Sequence, residues 1–150
     1  YVKPDDIYDV ECDVYAPCAL GATINDQTID RLKCKIVAGA ANNQLAEDRH
    51  GDILKEKGIL YAPDYLINAG GVMNVSIEFE GWSDTKATRM VDTIYDTSLK
   101  IFKISDEQDI PVYQATNVLA EGRLDAIKNI KSNYLGNTSH RFPGRKRRHG

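Results

Sequence analysis

The chain has 150 residues, of which 42% are hydrophobic and 27% are charged, and its net charge is −3. This length suits one ordinary domain with a real core, and the composition excludes a wholly disordered protein. Apolar runs fall short of the ~18 residues of a membrane-spanning helix, and the first residues do not resemble a signal peptide, so we expect no membrane partner.

Short apolar runs alternate with polar segments in the first half of the chain. They predict β-strands at 12–16, 35–39 and 58–62, a short helix or turn over 26–32, and a helix over 47–57 that Gly58 ends. Strands separated by helices are typical of βαβ units and a parallel sheet. The first and third strands each end in Ala-Pro, at the carboxyl edge where α/β sheets bind ligands.

The second half of the sequence is predicted to be helical. Asn68 is a candidate N-cap for a helix at 69–71, and Ser83 for a long helix over 84–105. After a link at 110–113, another helix is predicted over 117–131. The apolar positions of the two long helices predict packing faces. These faces comprise Val91, Ile94, Tyr95, Leu99 and Phe102 in the first, and Val118, Leu119, Gly122, Ala126, Ile127 and Ile130 in the second.

Charge is distributed unevenly along the chain. Residues 141–150 carry five basic side chains and no acidic one, whereas residues 1–140 hold 14 basic and 22 acidic side chains. Because phosphate contacts need a basic surface, the acidic body argues against a nucleic-acid partner. We interpret the tail as a solvated or subunit-contacting terminus, with a nucleic-acid or targeting patch as the alternative.

Cysteine usage indicates a reducing compartment such as the cytoplasm. Cys12, Cys18 and Cys34 are odd in number and lack C-x-x-C spacing, so the sequence predicts neither a disulfide framework nor a metal site. Cys18, beside Pro17, is interpreted as a small buried apolar residue rather than a nucleophile.

Small residues cluster where each predicted strand ends, at 16–21, 38–44 and 68–75. Such residues let the backbone approach a flat ligand closely, and their asparagines add donors and acceptors that suit a carboxamide-bearing ring. Taken singly, each cluster is better explained by tight turns and helix–sheet packing, but three clusters at successive strand ends favour a ligand site. The chain contains no G-x-G-x-x-G loop, Walker A loop, G-x-S-x-G elbow or H-E-x-x-H motif.

Three segments carry a resemblance to a known family: CDVYAPCALG at 12–21, VAGAANNQL at 37–45 and YAPDYLINAGGV at 61–72. They closely resemble the glutamate, leucine, phenylalanine and valine dehydrogenases, and within that family the leucine dehydrogenases most of all. The similarity runs from about residue 7 to residue 135. It implies an α/β fold, with the latter part of a Rossmann-type NAD-binding domain at 1–80, carboxyl-terminal helices at 81–135 and a basic tail at 136–150.

The resemblance also implies which residues meet NAD and the substrate. Cofactor contacts are expected from Ala16, Pro17, Cys18, Ala19, Ala41, Asn42, Asn43 and Asn68. Substrate contacts are expected from Asn43, Val72 and Val75. The family's catalytic lysine, catalytic aspartate and glycine loop have no counterparts here, so no catalytic residue is assigned. With a start at Tyr1 rather than Met, we expect a portion of a longer enzyme that is inactive alone.

The implied reaction is the NAD-dependent oxidative deamination of branched-chain L-amino acids, such as leucine, to 2-oxo acids by a cytoplasmic homo-oligomer. Val72 and Val75 suit a branched aliphatic side chain, since burying a γ-carboxylate between two valines is costly. Chains that differ by one carbon are expected to be discriminated by only about 1–3 kcal/mol. The alternatives are a phenylalanine or valine dehydrogenase, or a non-catalytic fragment that acts as an oligomerisation module.

Overall fold

A three-stranded parallel sheet organises the first half of the chain. The computed structural model describes residues 1–133 and places β1 at Val14–Tyr15, β2 at Ile36–Val37 and β3 at Leu60–Tyr61, in the order β1-β2-β3. In register, Tyr15 pairs with Val37, and Val37 pairs with Tyr61. The predicted α/β fold with a parallel sheet is therefore confirmed, although each strand is shorter than its apolar run.

The first α-helix, α1 (Arg49–Glu56), follows two 3-10 helices at Pro4–Asp9 and Ile29–Arg31, crosses from β2 to β3 and covers the sheet. Leu54 of α1 is fully buried and belongs to the core cluster. Gly58 follows with a φ of +69°, a left-handed conformation that glycine adopts without strain, so its predicted role as the stop signal is confirmed. The buried core consists of Ile24, Ile29, Cys34, Val37, Leu54, Ile59 and Tyr61.

In the part of the chain that the structure describes, four helices follow the sheet: α2 (Asp64–Ile67), α3 (Gly70–Glu80), α4 (Asp84–Gln108) and α5 (Val112–Asn133). Helix α4 packs against α2, α3 and α5. The backbone N–H of Lys86 donates to the Ser83 hydroxyl at 3.4 Å, which confirms Ser83 as the N-cap of α4. Within residues 1–133, no helix is long and apolar enough to cross a bilayer.

Two predicted helix starts are wrong. Asn68 is the C-cap of α2, and its side chain hydrogen-bonds with another loop, while α3 begins after Ala69 without a side-chain cap. Helix α5 begins at Val112, five residues before the predicted start. Pro111 directly precedes it, and proline suits the entry to a helix because the first N–H groups have no partner within the helix.

The apolar face predicted for α4 is only partly buried. Val91, Tyr95 and Leu99 are 46%, 69% and 49% exposed, whereas Ile101 and Ser105 are the buried positions. The apolar face of α4 is therefore broad, and among the described residues only its edge at Ile101 and Ser105 is buried.

The face predicted for α5 is also only partly covered. Ala115 is buried and Leu119 half-buried, but Val118 and Ile127 are exposed, and so are Gly122 and Ala126. The side chain of Ile130 and the predicted basic tail lie outside the described residues.

Polar contacts dock the helical half onto the sheet half. The Tyr113 hydroxyl at the start of α5 donates to the Asp52 carboxylate of α1 at 3.2 Å. Gly51 lies against the Tyr113 ring, where a Cβ would come within 2.8 Å of a ring carbon. Lys55 donates to Asp109, the left-handed C-cap of α4, at 2.5 Å. These contacts lie beside a cavity of about 270 Å³ under α1, which we assign to helix docking.

Candidate functional site

The loops that follow the three strands meet at one edge of the sheet. Because the strands are parallel and in register, the chain leaves the sheet at residues 16, 38 and 62 on the same side. The three small-residue clusters therefore come together at the carboxyl edge, as the sequence predicted. This edge is where open α/β sheets bind ligands.

The loops that follow β1 and β2 touch through their backbones. A Cβ at Gly39 would overlap the backbone of Pro17, so this approach requires glycine. The Ala41 N–H donates to the Pro17 carbonyl at 2.9 Å, and both residues are buried. Ala16 and Ala19, on either side of the Pro17–Cys18 pair, are exposed.

Cys18 is exposed, and the prediction that it is a small buried residue is wrong. Its Sγ atom lies 3.5 Å from the backbone nitrogen of Ala40, which donates to it. The chain leaves the sheet at Pro17, which is buried, and the residue after it is exposed.

Two asparagines join the second and third loops. Nδ2 of Asn68 donates to Oδ1 of Asn42 at 2.5 Å and to the Ala40 carbonyl at 3.4 Å. Between them lies an open cavity of about 440 Å³. It is lined by Ala40, Asn42, Tyr65, Asn68, Ala69 and Val72.

The cavity offers both hydrogen-bonding roles that a carboxamide requires. The bonds found within residues 1–133 use the Asn42 oxygen and not its nitrogen, so the Nδ2 group remains available as a donor. The Ala40 carbonyl, which accepts only a long bond of 3.4 Å from Asn68, is an acceptor at the same cavity. Among residues 1–133, the side chains that line the cavity are alanine, asparagine, tyrosine and valine, which can bind and orient a ligand.

Asn43 contributes its backbone to this arrangement. Its φ of +52° lies in the left-handed region, which asparagine tolerates better than most residues. Its N–H donates to the Asp64 carboxylate, and its carbonyl accepts from the Ala22 N–H at 2.7 Å. The Asn43 side chain is exposed and does not line the cavity, so its contact with a ligand stays a prediction.

Val72 and Val75 lie three residues apart on α3 and share one face. They are 69% and 50% exposed, and Val72 lines the cavity while Val75 lies beyond it. A substrate side chain on this face would cover apolar surface that is otherwise open to water. Their role in substrate binding stays a prediction.

Two buried polar residues at this edge escaped sequence reasoning. Asp64 is 6% exposed and Tyr61 is 4% exposed, and the Tyr61 hydroxyl donates to the Asp64 carboxylate at 3.1 Å. Burial raises the pKa of Tyr61, and the neighbouring Asp64 raises it further. The available signal was an aspartate directly after Ala62-Pro63, which also fits an acidic residue in the first turn of a helix.

The comparisons with known proteins decide the family. A family model described as Glutamate/Leucine/Phenylalanine/Valine dehydrogenase matches residues 1–130. The chain belongs to this family. Members of the Glutamate/Leucine/Phenylalanine/Valine dehydrogenase family were expected from the motifs at 12–21, 37–45 and 61–72, so that resemblance is confirmed.

Individual relatives within the family are close over nearly the whole chain. A leucine dehydrogenase of Thermoactinomyces intermedius is 57% identical over 135 residues, which are 90% of this chain and 37% of the relative. A phenylalanine dehydrogenase of Caldalkalibacillus thermarum is 47% identical over 131 residues, or 87% of this chain and 35% of the relative. The crystal structure of L-tryptophan dehydrogenase from Nostoc punctiforme matches with a TM-score of 0.82 at 48% identity, covering 85% of this chain and 38% of that one. The chain thus spans little more than a third of the length of these relatives.

Proposed function

We propose that this chain is the carboxyl-terminal part of an NAD-dependent leucine dehydrogenase, which deaminates branched-chain L-amino acids to 2-oxo acids. The observation that carries the proposal is the cavity at the carboxyl edge, where Asn42, Asn68 and Val72 come together. Its amide groups and the Ala40 carbonyl suit a carboxamide, and the exposed valine beside them suits an aliphatic side chain. The 57% identity to a leucine dehydrogenase supports leucine over larger substrates.

The chain's own residues bind and orient in this proposal. Asn42 and Asn68 hold the nicotinamide carboxamide, while the loop at Pro17 and Cys18 borders the ring and ribose. Asn43 holds the amino-acid head, and Val72 with Val75 excludes water from the substrate side chain. NAD, when bound, supplies the hydride acceptor. The proton-transferring lysine and aspartate belong to the part of the relatives that this chain does not match.

Location and assembly are part of the proposal. The described cysteines Cys12, Cys18 and Cys34 are all free thiols, which fits the cytoplasm. A homo-oligomer fits the exposed apolar stripe of α4 at Val91, Tyr95 and Leu99, since such a stripe favours association. The same stripe favours the second candidate, a non-catalytic fragment that serves as an oligomerisation module.

A chimera tests the proposed function. The part of the Thermoactinomyces intermedius leucine dehydrogenase that precedes the matched region is fused to this chain, and NADH formation is followed with leucine, isoleucine, valine, phenylalanine and tryptophan. We expect activity with all three branched-chain substrates, spread over roughly 10- to 200-fold in kcat/KM. The parent enzyme is the positive control, and the isolated chain, expected to be inactive, is the negative control.

Three results would count against parts of the proposal. A folded chimera that is inactive with every amino acid contradicts the dehydrogenase function and favours the oligomerisation module. A preference for phenylalanine or tryptophan contradicts the substrate class alone. Leucine-dependent NADH formation by the isolated chain, once contaminating enzyme is excluded, contradicts the assignment of the proton-transferring groups to the unmatched part of the relatives.

A further inference from the structure

Asp64 is a buried carboxylate for which the proposed chemistry has no use. It is 6% exposed at the first position of α2, directly after the Ala62-Pro63 turn at the end of β3. Burying a carboxylate is costly unless hydrogen bonds compensate, so its partners indicate what it is there to hold.

Both oxygens of the Asp64 side chain accept hydrogen bonds. Oδ2 accepts from the backbone N–H of Asn43, 21 residues earlier in the loop after β2. Oδ1 accepts from the Tyr61 hydroxyl at 3.1 Å, and Tyr61 is itself buried in the core. The carboxylate therefore links a rigid part of the fold to the loop that carries the candidate cofactor and substrate contacts.

The backbone of Asp64 holds the other side of the cavity. Its carbonyl accepts from the Asn68 N–H at 2.9 Å, which closes the single turn of α2 and places the Asn68 backbone beside the cavity. One residue thus fixes Asn43 through its carboxylate and Asn68 through its carbonyl. The Asn42–Asn68 hydrogen bond forms between these two anchored points.

The loop needs such an anchor because of its conformation. Asn43 has a φ of +52°, and a left-handed residue other than glycine persists only where the surrounding structure determines it. Ala22 and Asp64 bind its carbonyl and its N–H, respectively. Without Asp64, the N–H would lose its partner and the loop could leave the left-handed conformation.

We propose that Asp64 is a positioning residue, whose carboxylate holds the Asn42–Asn43 loop in the arrangement that binds the nicotinamide carboxamide and the amino-acid head. This inference rests on the proposed function, and it assigns Asp64 no contact with the ligand. The Tyr61 hydroxyl orients the Asp64 carboxylate. Its role is secondary, because removing the hydroxyl leaves the hydrogen bond between Asp64 and Asn43 in place.

Three variants separate the contributions of the Asp64 carboxylate and the Tyr61 hydroxyl. Asp64→Ala removes both acceptors. Asp64→Asn keeps one oxygen for the Asn43 N–H, while its NH₂ group can donate to the Tyr61 oxygen, so it is the conservative variant expected to rescue. Tyr61→Phe is the matched control that removes the hydroxyl alone.

The first readout uses the isolated chain and does not depend on catalysis. The Asn43 amide proton is assigned by NMR, and its hydrogen exchange is measured. We expect exchange at least about tenfold faster in Asp64→Ala, because an amide–carboxylate hydrogen bond is lost, and near the wild-type rate in Asp64→Asn and Tyr61→Phe. The amides of Ile24, Leu54 and Val37 in the core report whether the fold itself is intact.

The second readout uses the active chimera. We expect Asp64→Ala to lower kcat/KM for leucine by about 10- to 100-fold, chiefly through a higher KM for NAD and leucine, and Asp64→Asn to recover most of it. If Asp64→Ala fails to fold, Asp64→Ser replaces it, because its shorter side chain does not reach the Asn43 N–H: we expect faster Asn43 exchange and lower kcat/KM than in Asp64→Asn, and values within twofold of wild type overturn the positioning role.

The outcomes distinguish this inference from the proposed function. An inactive wild-type chimera contradicts the function, and the exchange of the Asn43 amide then decides alone whether Asp64 holds the loop. If the chimera is active and Asp64→Ala keeps its kcat/KM for leucine within twofold of wild type, the positioning role is overturned. Unchanged Asn43 exchange in a folded Asp64→Ala chain overturns it as well.

Discussion

Asn42 and Asn68 join the loops after β2 and β3 through a single side-chain hydrogen bond of 2.5 Å. The two residues are 26 positions apart in the chain, and each belongs to a different small-residue cluster. Their bond forms one wall of the cavity of about 440 Å³ that also includes Ala40 and Val72. It therefore connects the two halves of the candidate site directly.

A double-mutant cycle on Asn42 and Asn68 measures this connection. In the chimera, we expect Asn42→Ala and Asn68→Ala each to lower kcat/KM for leucine by about 2- to 12-fold, the range of one net hydrogen bond. The double variant should lose less than the product of the single losses, because the bond is already broken by either one. Strictly multiplicative losses would show that the two amides act independently.

Asn43→Gly separates the side chain of Asn43 from its backbone. Glycine adopts the φ of +52° freely and keeps the N–H that binds Asp64, so the loop should retain its shape. If the amide holds the amino-acid head as proposed, kcat/KM should fall by about tenfold or more.

Asp109→Gly is the control for Asn43→Gly. Asp109 has the same φ of +52° but caps α4, away from the candidate site, so the substitution should leave kcat/KM unchanged. Wild-type activity in Asn43→Gly would show that Asn43 acts through its backbone alone.

Gly39 is the tightest point between the first two loops. A Cβ there would overlap the backbone of Pro17, so Gly39→Ala should force the loops apart and destabilise the chain by about 1–3 kcal/mol, as overpacking does. Gly122→Ala is the matched control in the exposed part of α5, where a Cβ meets nothing within 4 Å and alanine should stabilise by up to about 1 kcal/mol. The stability of both variants is measured by urea unfolding, with circular dichroism as the signal. Equal unfolding midpoints for Gly39→Ala and wild type would contradict the close approach of the two loops.

Local signals predicted the elements well. The Ser83 cap, the Gly58 stop and the parallel strands all follow from short-range chemistry: a hydroxyl at a helix start, a residue that tolerates positive φ, and apolar runs separated by a helix. Likewise, the meeting of the small-residue clusters at one edge follows once the strands are known to be parallel.

Features that depend on tertiary contacts were missed. Asn68 has the residue type of an N-cap, but its side chain bonds with Asn42 across the cavity. Asp64 resembles an ordinary acidic residue in a helix's first turn, and only the fold brings it to Asn43. The periodicity of α4 could not tell which edge of its broad apolar face is covered, because that depends on where α2, α3 and α5 pack.

The exposed apolar stripe of α4 should make the isolated chain self-associate. Tyr95 and Leu99 are 69% and 49% exposed one helical turn apart, and contiguous apolar surface of this kind favours contact between copies. We expect concentration-dependent sedimentation that Tyr95→Ser with Leu99→Ser reduces. Leu20→Ser, which removes a 74% exposed side chain from a loop, is the control and should leave association unchanged. Identical sedimentation of all three proteins would show that the stripe is not the contact.

An ion-pair cluster at the start of α1 should make the free energy of unfolding depend on pH in the acidic range. Oδ2 of Asp26 lies 2.7 Å from an Arg49 nitrogen, and Oδ1 lies 3.1 Å from Nε2 of the buried His50. Hydrogen bonding to Arg49, and secondarily to His50, lowers the pKa of Asp26 below its usual 3.8. Because the folded state favours the ionised form, this contribution to stability is present above about pH 4 and is lost as the pH falls through the lowered pKa.

Asp26→Asn removes that contribution at every pH. We therefore expect the variant to unfold at lower urea concentration than wild type at pH 6, and the gap between their midpoints to narrow from pH 4 to pH 3. Asp92→Asn, on an exposed position of α4, is the control and should track wild type throughout. A gap that stays constant or widens towards pH 3 would contradict the lowered pKa of Asp26, because protonation of the wild-type carboxyl must make the two proteins more alike.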